Sequence, residues 1–207
     1  EYAYDHQGRM VWKQVSTNSV VLSTRTLLWD GYNIIAQTIN HQPSTTNHYV
    51  WGLDLSGTLQ GAGGVGGLLA EVKDGVLYYA ASDANGNITE YISENDTLAA
   101  HYEYSPFGEI VVQSGDLADT FTHRFSTKPW CPTACLSEYE YRKYRPIMGR
   151  WNDRDPLAEI GFYVIVAQYS RSQTQYSFGK FAAKAAQAYH TNRPNLFDFV
   201  NNASVHM

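Results

Sequence analysis

The chain is poor in cysteine and charge, and it lacks a long apolar run. It holds two cysteines in 207 residues, too few to suggest a disulfide framework. Cys131 and Cys135 sit in Cys-Pro-Thr-Ala-Cys and supply only half of a closed zinc site, which takes four ligands. The nearest completing residues, His101 and His123, have no tight spacing to them, so no metal is expected. The plain reading is two thiols in a loop, or a local disulfide in an oxidising compartment. Charged residues make up 17%, and the net charge is −5. A nucleic-acid binder would show a basic face, so no nucleic-acid partner is expected. No apolar run approaches the ~20 residues that cross a bilayer, and no membrane span is expected. The longest run, 162–167, has strand length. The chain starts without Met and without a basic, apolar leader. It enters a repeat at once, and reads as a piece of a longer protein.

Other chemistry is thin. The seven histidines form no close pair, and no nucleophile elbow appears. Residues 61–66 spell G-x-G-x-x-G. A dinucleotide site would also need a preceding parallel strand, a following helix and an acid about 20 residues on. Asp83 falls near that spacing but belongs to a turn. A flexible loop between hairpins explains the glycines better, and no cofactor is expected.

What the chain does have is tyrosine, 16 residues, and 43% hydrophobic residues, enough to build a core. The tyrosines recur in one design: an aromatic strand, a polar turn closing on glycine, then an apolar strand. It appears at Tyr2-Ala-Tyr4-Asp5 to Gly8, Tyr49-Val-Trp51 to Asp54 and Gly57, Tyr78-Tyr79 to Asp83 and Gly86, and Tyr102-Glu-Tyr104-Ser105 to Gly108. A looser copy is Trp29-Asp30-Gly31. Alternating rings share one face of a strand. Asp or Ser opens each turn by bonding its own backbone, and glycine closes it at positive φ. Each unit is therefore read as a β-hairpin, the second returning through Thr58 and Leu59.

The stretch from Tyr141 ends in Gly149-Arg150-Trp151 and Arg154-Asp155-Pro156. With the hairpins, it resembles the YD repeats and core-domain signature of the Rhs (rearrangement hotspot) family over residues 1–161 and again 195–203. That family includes polymorphic bacterial toxins, the C subunits of insecticidal toxin complexes and the animal teneurins. The resemblance implies a spiral β-ribbon wound into a hollow shell around a toxic C-terminal segment. It also implies a core domain that plugs one end and, in many members, frees the toxin as an aspartyl autoprotease. The implied partners are the remainder of the shell, its toxin cargo, and a cell-surface or secretion-system component. The parent would be exported or at the cell surface of a bacterium.

The expected fold is mainly β. An antiparallel hairpin ribbon at 1–125 is followed by the signature segment at 126–161, an insertion at 162–194 and a truncated end of the core motif at 195–207. About ten strands spaced ~4.8 Å apart make a ribbon ~50 Å wide, half a turn around a 100-residue cargo. Within the insertion, 162–166 reads as a strand. Phe178, Phe181, Ala185 and Tyr189 share one face of a short amphipathic helix.

By position in the family motif, Asp155 and Arg154 are the candidate catalytic residues. An aspartyl mechanism needs two carboxyls sharing a proton. The chain ends in Asn201-Asn202-Ala203 without the family's second Asp or cleavage site, Asp198 sits elsewhere in the motif, and Arg145 replaces the family Asp before Pro146. The expectation is a structural piece, in which Arg154 and Asp155 form a fixing ion pair and Trp151 a core ring. The alternatives are a self-cleaving protease and a surface module whose rings bind sugars or protein.

Overall fold

The computed structural model describes residues 1–40 and 44–153 of the chain. Ten strands form one sheet: β1 (Tyr2–Tyr4), β2 (Met10–Thr17), β3 (Val20–Asp30), β4 (Asn33–Asn40), β5 (Thr45–Trp51), β6 (Leu68–Lys73), β7 (Val76–Ser82), β8 (Ile88–Ser93), β9 (Leu98–Tyr104) and β10 (Ile110–Ser114). Each strand pairs only with its sequence neighbours, always antiparallel. The ribbon is therefore a meander built from local steps, which short turns can specify one at a time.

The turns follow one local rule. In all four hairpin turns the opening residue's carbonyl accepts from the turn glycine: Gly8 to Asp5 at 3.0 Å, Gly57 to Asp54 at 2.9 Å, Gly86 to Asp83 at 3.0 Å, Gly108 to Ser105 at 2.9 Å. The opening side chain binds the far side of its turn, as Asp83 does with the Asn85 and Asn87 N–H groups, both at 2.9 Å. Gly8, Gly57, Gly86 and Gly108 all have φ between 75° and 84°. A further turn of this kind carries no glycine: Ser93 opens it and Asp96 takes the left-handed position at φ 59°. Two others are two-residue loops with both residues left-handed, Asn18-Ser19 and Asp74-Gly75, the arrangement that matches strand twist.

The second hairpin departs from expectation. Thr58 and Leu59 do not form its return strand; the chain turns through residues 55–66 and re-enters the sheet at β6. The cause is Asp54. One carboxylate oxygen accepts from the Ser56 N–H at 2.9 Å and from the Ser56 hydroxyl. The other accepts from the Ala62 N–H at 2.7 Å and the Gly64 N–H at 3.1 Å. The glycine loop is thus folded back on a buried carboxylate. It joins two antiparallel strands, so the βαβ context of a dinucleotide site is absent here.

After β10 the chain lays residues 115–140 along one face of the ribbon. Phe121 stacks on Tyr91 with ring centres 3.9 Å apart and meets Tyr78 edge-on at 5.1 Å. Tyr91, Tyr102, Ile88 and Phe121 are fully buried. Buried tyrosines need a partner for the hydroxyl, and carbonyl groups supply it. Tyr102 donates to Ala118 O at 2.6 Å, and Tyr91 donates to His123 O at 3.0 Å. Arg124 closes the seam, donating to Phe121 O and Ala118 O with its guanidinium 4.9 Å from the Tyr102 ring centre. The opposite face stays open, with Val50 and Tyr79 about half exposed.

Two compact units divide the chain, Glu1–Glu140 and Tyr141–Met207. The first ends in a small hairpin, β11 (Trp130–Cys131) against β12 (Leu136–Glu138). The second begins with another, β13 (Lys143–Arg145) against β14 (Arg150–Trp151). Among the described residues there is no α-helix, only two 3₁₀ turns at Phe125–Thr127 and Pro146–Met148. The helix expected in 178–189 and the strand expected at 162–166 lie outside the described residues.

Candidate functional site

The signature segment forms a hairpin tip around Trp151. Gly149 closes the 3₁₀ turn at φ 60°, ψ 30°, donating to Pro146 O at 2.9 Å. That left-handed step reverses the chain and pairs Tyr144 with Trp151 and Arg145 with Arg150. Tyr144 is fully buried and meets Trp151 edge-on at 5.3 Å. The Arg142 guanidinium lies 3.9 Å from the Trp151 ring centre, within cation–π range. Arg150 is exposed, beside a cavity that Arg145, Trp151 and Asn152 also line. Arg154, Asp155 and Pro156 lie outside the described residues, as do Asp198 and residues 201–203.

In the first unit, two of the expected turn glycines, Gly86 and Gly108, are docking points for the covering segment. At Gly86 a Cβ would sit 2.8 Å from the Gly66 backbone nitrogen; Thr127 Oγ1 accepts from Gly66 N–H and donates to Gly86 O. At Gly108 a Cβ would sit 2.5 Å from the Phe125 ring. Ser126 N–H donates to Asn87 Oδ1 at 2.9 Å, and Lys128 Nζ donates to Gly63 O at 2.6 Å and pairs with Glu140. Gly57, by contrast, faces open space.

Of three buried ionisable groups, the sequence pointed to His123 as a metal candidate alone, and to Glu71 and Lys13 not at all. Glu71 is fully buried between Tyr49 and Tyr78 on the neighbouring strands. Asn47 Nδ2 donates to its Oε1 at 2.8 Å, and its Oε2 has no hydrogen-bond partner. Burial pushes its pKa up to about 8 against the pull of Lys73 and the Asn47 bond. His123 is wedged between Tyr49 at 4.5 Å and Trp51 at 5.6 Å, and burial, with Lys128 adding repulsion, pushes its pKa down to about 3. Lys13 is buried, with Glu138 Oε1 at 2.7 Å and Cys131 Sγ at 2.8 Å. Burial works against its charge, but Glu138 and Cys131 more than compensate and raise its pKa. The available signal was a charge inside an apolar strand, as in Leu68-Leu-Ala-Glu71-Val and Met10-Val-Trp-Lys13.

The two cysteines are free, Cys131 buried and Cys135 exposed. Neither histidine named with them completes a metal site: His123 is enclosed by rings, and His101 binds Glu90 at 3.0 Å and Glu103 at 3.4 Å. Among the described residues, no three His, Cys, Asp or Glu side chains are grouped to hold a metal.

A ribbon of aromatic hairpins, opened by Asp or Ser and closed by glycine, defines the class as a YD-repeat wall. Residues 1–168 match the Teneurin YD-shell, and the chain belongs to that family. Solved structures agree in fold. A Photorhabdus luminescens Tc holotoxin pore with a mutated TccC3 matches at TM-score 0.58 and 20% identity, over 75% of this chain and 7% of that one. TcdB2-TccC3 matches at TM-score 0.56 and 19% identity, over 75% of this chain and 8% of that one. A TcdB2-TccC3-Cdc42 structure gives TM-score 0.55 and 18% identity, with the same coverage. The chain thus spans less than a tenth of each of these three. No curated protein sequence matches it.

Proposed function

We propose that the chain is a structural arc of a toxin-enclosing shell, whose work is to wall off and deliver a C-terminal cargo carried by its parent. The observation that carries this reading is the placement of the rings. Tyr49, Tyr78, Tyr91 and Tyr102 are spent on the ribbon's own core, under residues 115–140. A sugar- or protein-binding surface would present them to solvent. The partners are then the remaining strands of the parent shell and the cargo, with a cell-surface or secretion-system component receiving the whole. The parent is exported or surface-located in a bacterium.

Protease challenge of the full parent tests the reading. The cargo should survive while the shell is closed and be digested once urea opens it. Cargo digested at the rate of the free segment would overturn it. The enzymatic alternative rests on Arg154-Asp155-Pro156 in the sequence. It predicts a released fragment from the parent that Asp155→Asn abolishes, whereas the structural reading predicts an uncleaved parent for both.

A further inference from the structure

The least expected chemistry in the first unit lies where the ribbon's second strand meets the β11–β12 hairpin. Lys13 and Cys131 are 118 positions apart in sequence, yet Nζ and Sγ are 2.8 Å apart. The other cysteine, Cys135, makes an ordinary sulfur contact, 3.5 Å to Pro132 O. Glu138 Oε1 lies 2.7 Å from the same Nζ. All three residues are at most 5% exposed. The triad is not sealed: Lys13 and Cys131 line a cavity of about 30 Å³ with Val15, Ser23, Arg25, Pro132 and Thr133. That is room for one or two water-sized molecules.

We propose that Lys13 and Cys131 form an oxidative covalent cross-link, a sulfenamide made when a peroxide enters this cavity. An amine, a thiol and a carboxylate held in contact are the complete set of groups for that bond. The Cys131 sulfur attacks one peroxide oxygen as its thiol proton passes to the other. The O–O bond breaks, sulfur is oxidised to a sulfenic acid, the peroxide is reduced, and its other oxygen leaves as water with that proton. Glu138 then takes a proton from the Lys13 ammonium. The freed amine attacks sulfur, the S–O bond breaks, the hydroxyl leaves as a second water with the proton held by Glu138, and the nitrogen gives up one proton to the Glu138 carboxylate. The sum is one thiol, one amine and one peroxide giving one N–S bond and two waters.

The geometry favours this over a Cys131–Cys135 disulfide. Cys135 is exposed and its sulfur is directed to Pro132 O, whereas Lys13 already touches the Cys131 sulfur. The bond would weld strand β2 to the segment that covers the ribbon. Thiol reductants would reverse it.

The test is intact-mass and peptide mass spectrometry of the 207-residue chain after stoichiometric hydrogen peroxide. The chain carrying Cys135→Ser should become lighter by two hydrogens and recover its mass in dithiothreitol. Tryptic digestion should lose cleavage at Lys13 and yield a peptide joining Lys13 to Cys131. Lys13→Arg in the same background should abolish the loss and leave only added oxygen. Peptide mapping of the unsubstituted chain gives the answer independently of how that variant folds. A Cys135→Ser chain that only gains oxygen or keeps its mass overturns the proposal. So does an unsubstituted chain whose two-hydrogen loss maps to Cys131–Cys135.

Discussion

Replacing Glu71 with Gln should remove most of the stability loss between pH 6.5 and 8. In the fold Glu71 keeps its proton up to about pH 8, while its ordinary value is 4.5. Between those limits the unfolded chain releases a proton that the folded chain holds. Stability therefore falls as pH rises through this window, at up to about 1.4 kcal/mol per pH unit. Summed from 4.5 to 8, the loss is at most about 5 kcal/mol, and below pH 4.5 it is absent. His123 acts in the opposite sense. Its pKa drops from 6.5 to about 3 in the fold, so the unfolded chain takes up the extra proton and stability falls as pH drops through that range. From pH 4.5 to 6.5 the two slopes oppose each other and leave a plateau. Above 6.5 the buried Glu71 supplies the main slope, with a smaller one of the same sign from the partly exposed His101, whose pKa the bonds to Glu103 and Glu90 raise. Glu71→Gln keeps a carbonyl oxygen for Asn47 and cannot ionise. Urea midpoints from pH 4 to 8 should show the parent declining above pH 6.5 and the variant nearly level there. Parallel curves for the two proteins above pH 6.5 would refute the reasoning.

Other consequences follow from the covering segment and the turns. Phe121→Ala removes the ring stacked on Tyr91 and should cost ~3–5 kcal/mol in urea unfolding, since the cavity lies in the core. Gly108→Ala should cost more than about 1 kcal/mol, because φ is 84° and the new methyl meets Phe125, whereas Gly57→Ala carries only the strain of its φ of 75°. Thermal midpoints of the two variants compare them, and equal losses would count against close approach at Gly108. Among the described residues the sheet order ends at β10, which pairs with β9 alone, so the isolated chain should self-associate through that edge. A sharp monomer in light scattering at high concentration would contradict that.

Much of the ribbon was legible because its information is short-ranged. Asp5, Asp83 and Ser105 bind backbone groups within four residues, so each turn is written where it forms. The strand count followed from the same spacing. The β5–β6 connection was misread because Asp54, besides closing its own turn with Gly57, also binds Ala62 and Gly64, eight and ten residues away. The Ser93–Asp96 turn escaped notice because aspartate fills the place where glycine was sought.

The sequence alone determined the alternation of rings, the turn chemistry and the signature around Trp151, since each is set by neighbours along the chain. Only the tertiary structure decided that Glu71, His123 and Lys13 are buried, and that Lys13 meets Cys131 and Glu138. Strand alternation says that a side chain faces one side of the sheet. What covers that side depends on residues 115–140, which come from a distant part of the chain. Burial and charge pairing are therefore properties of that packing, not of any local run.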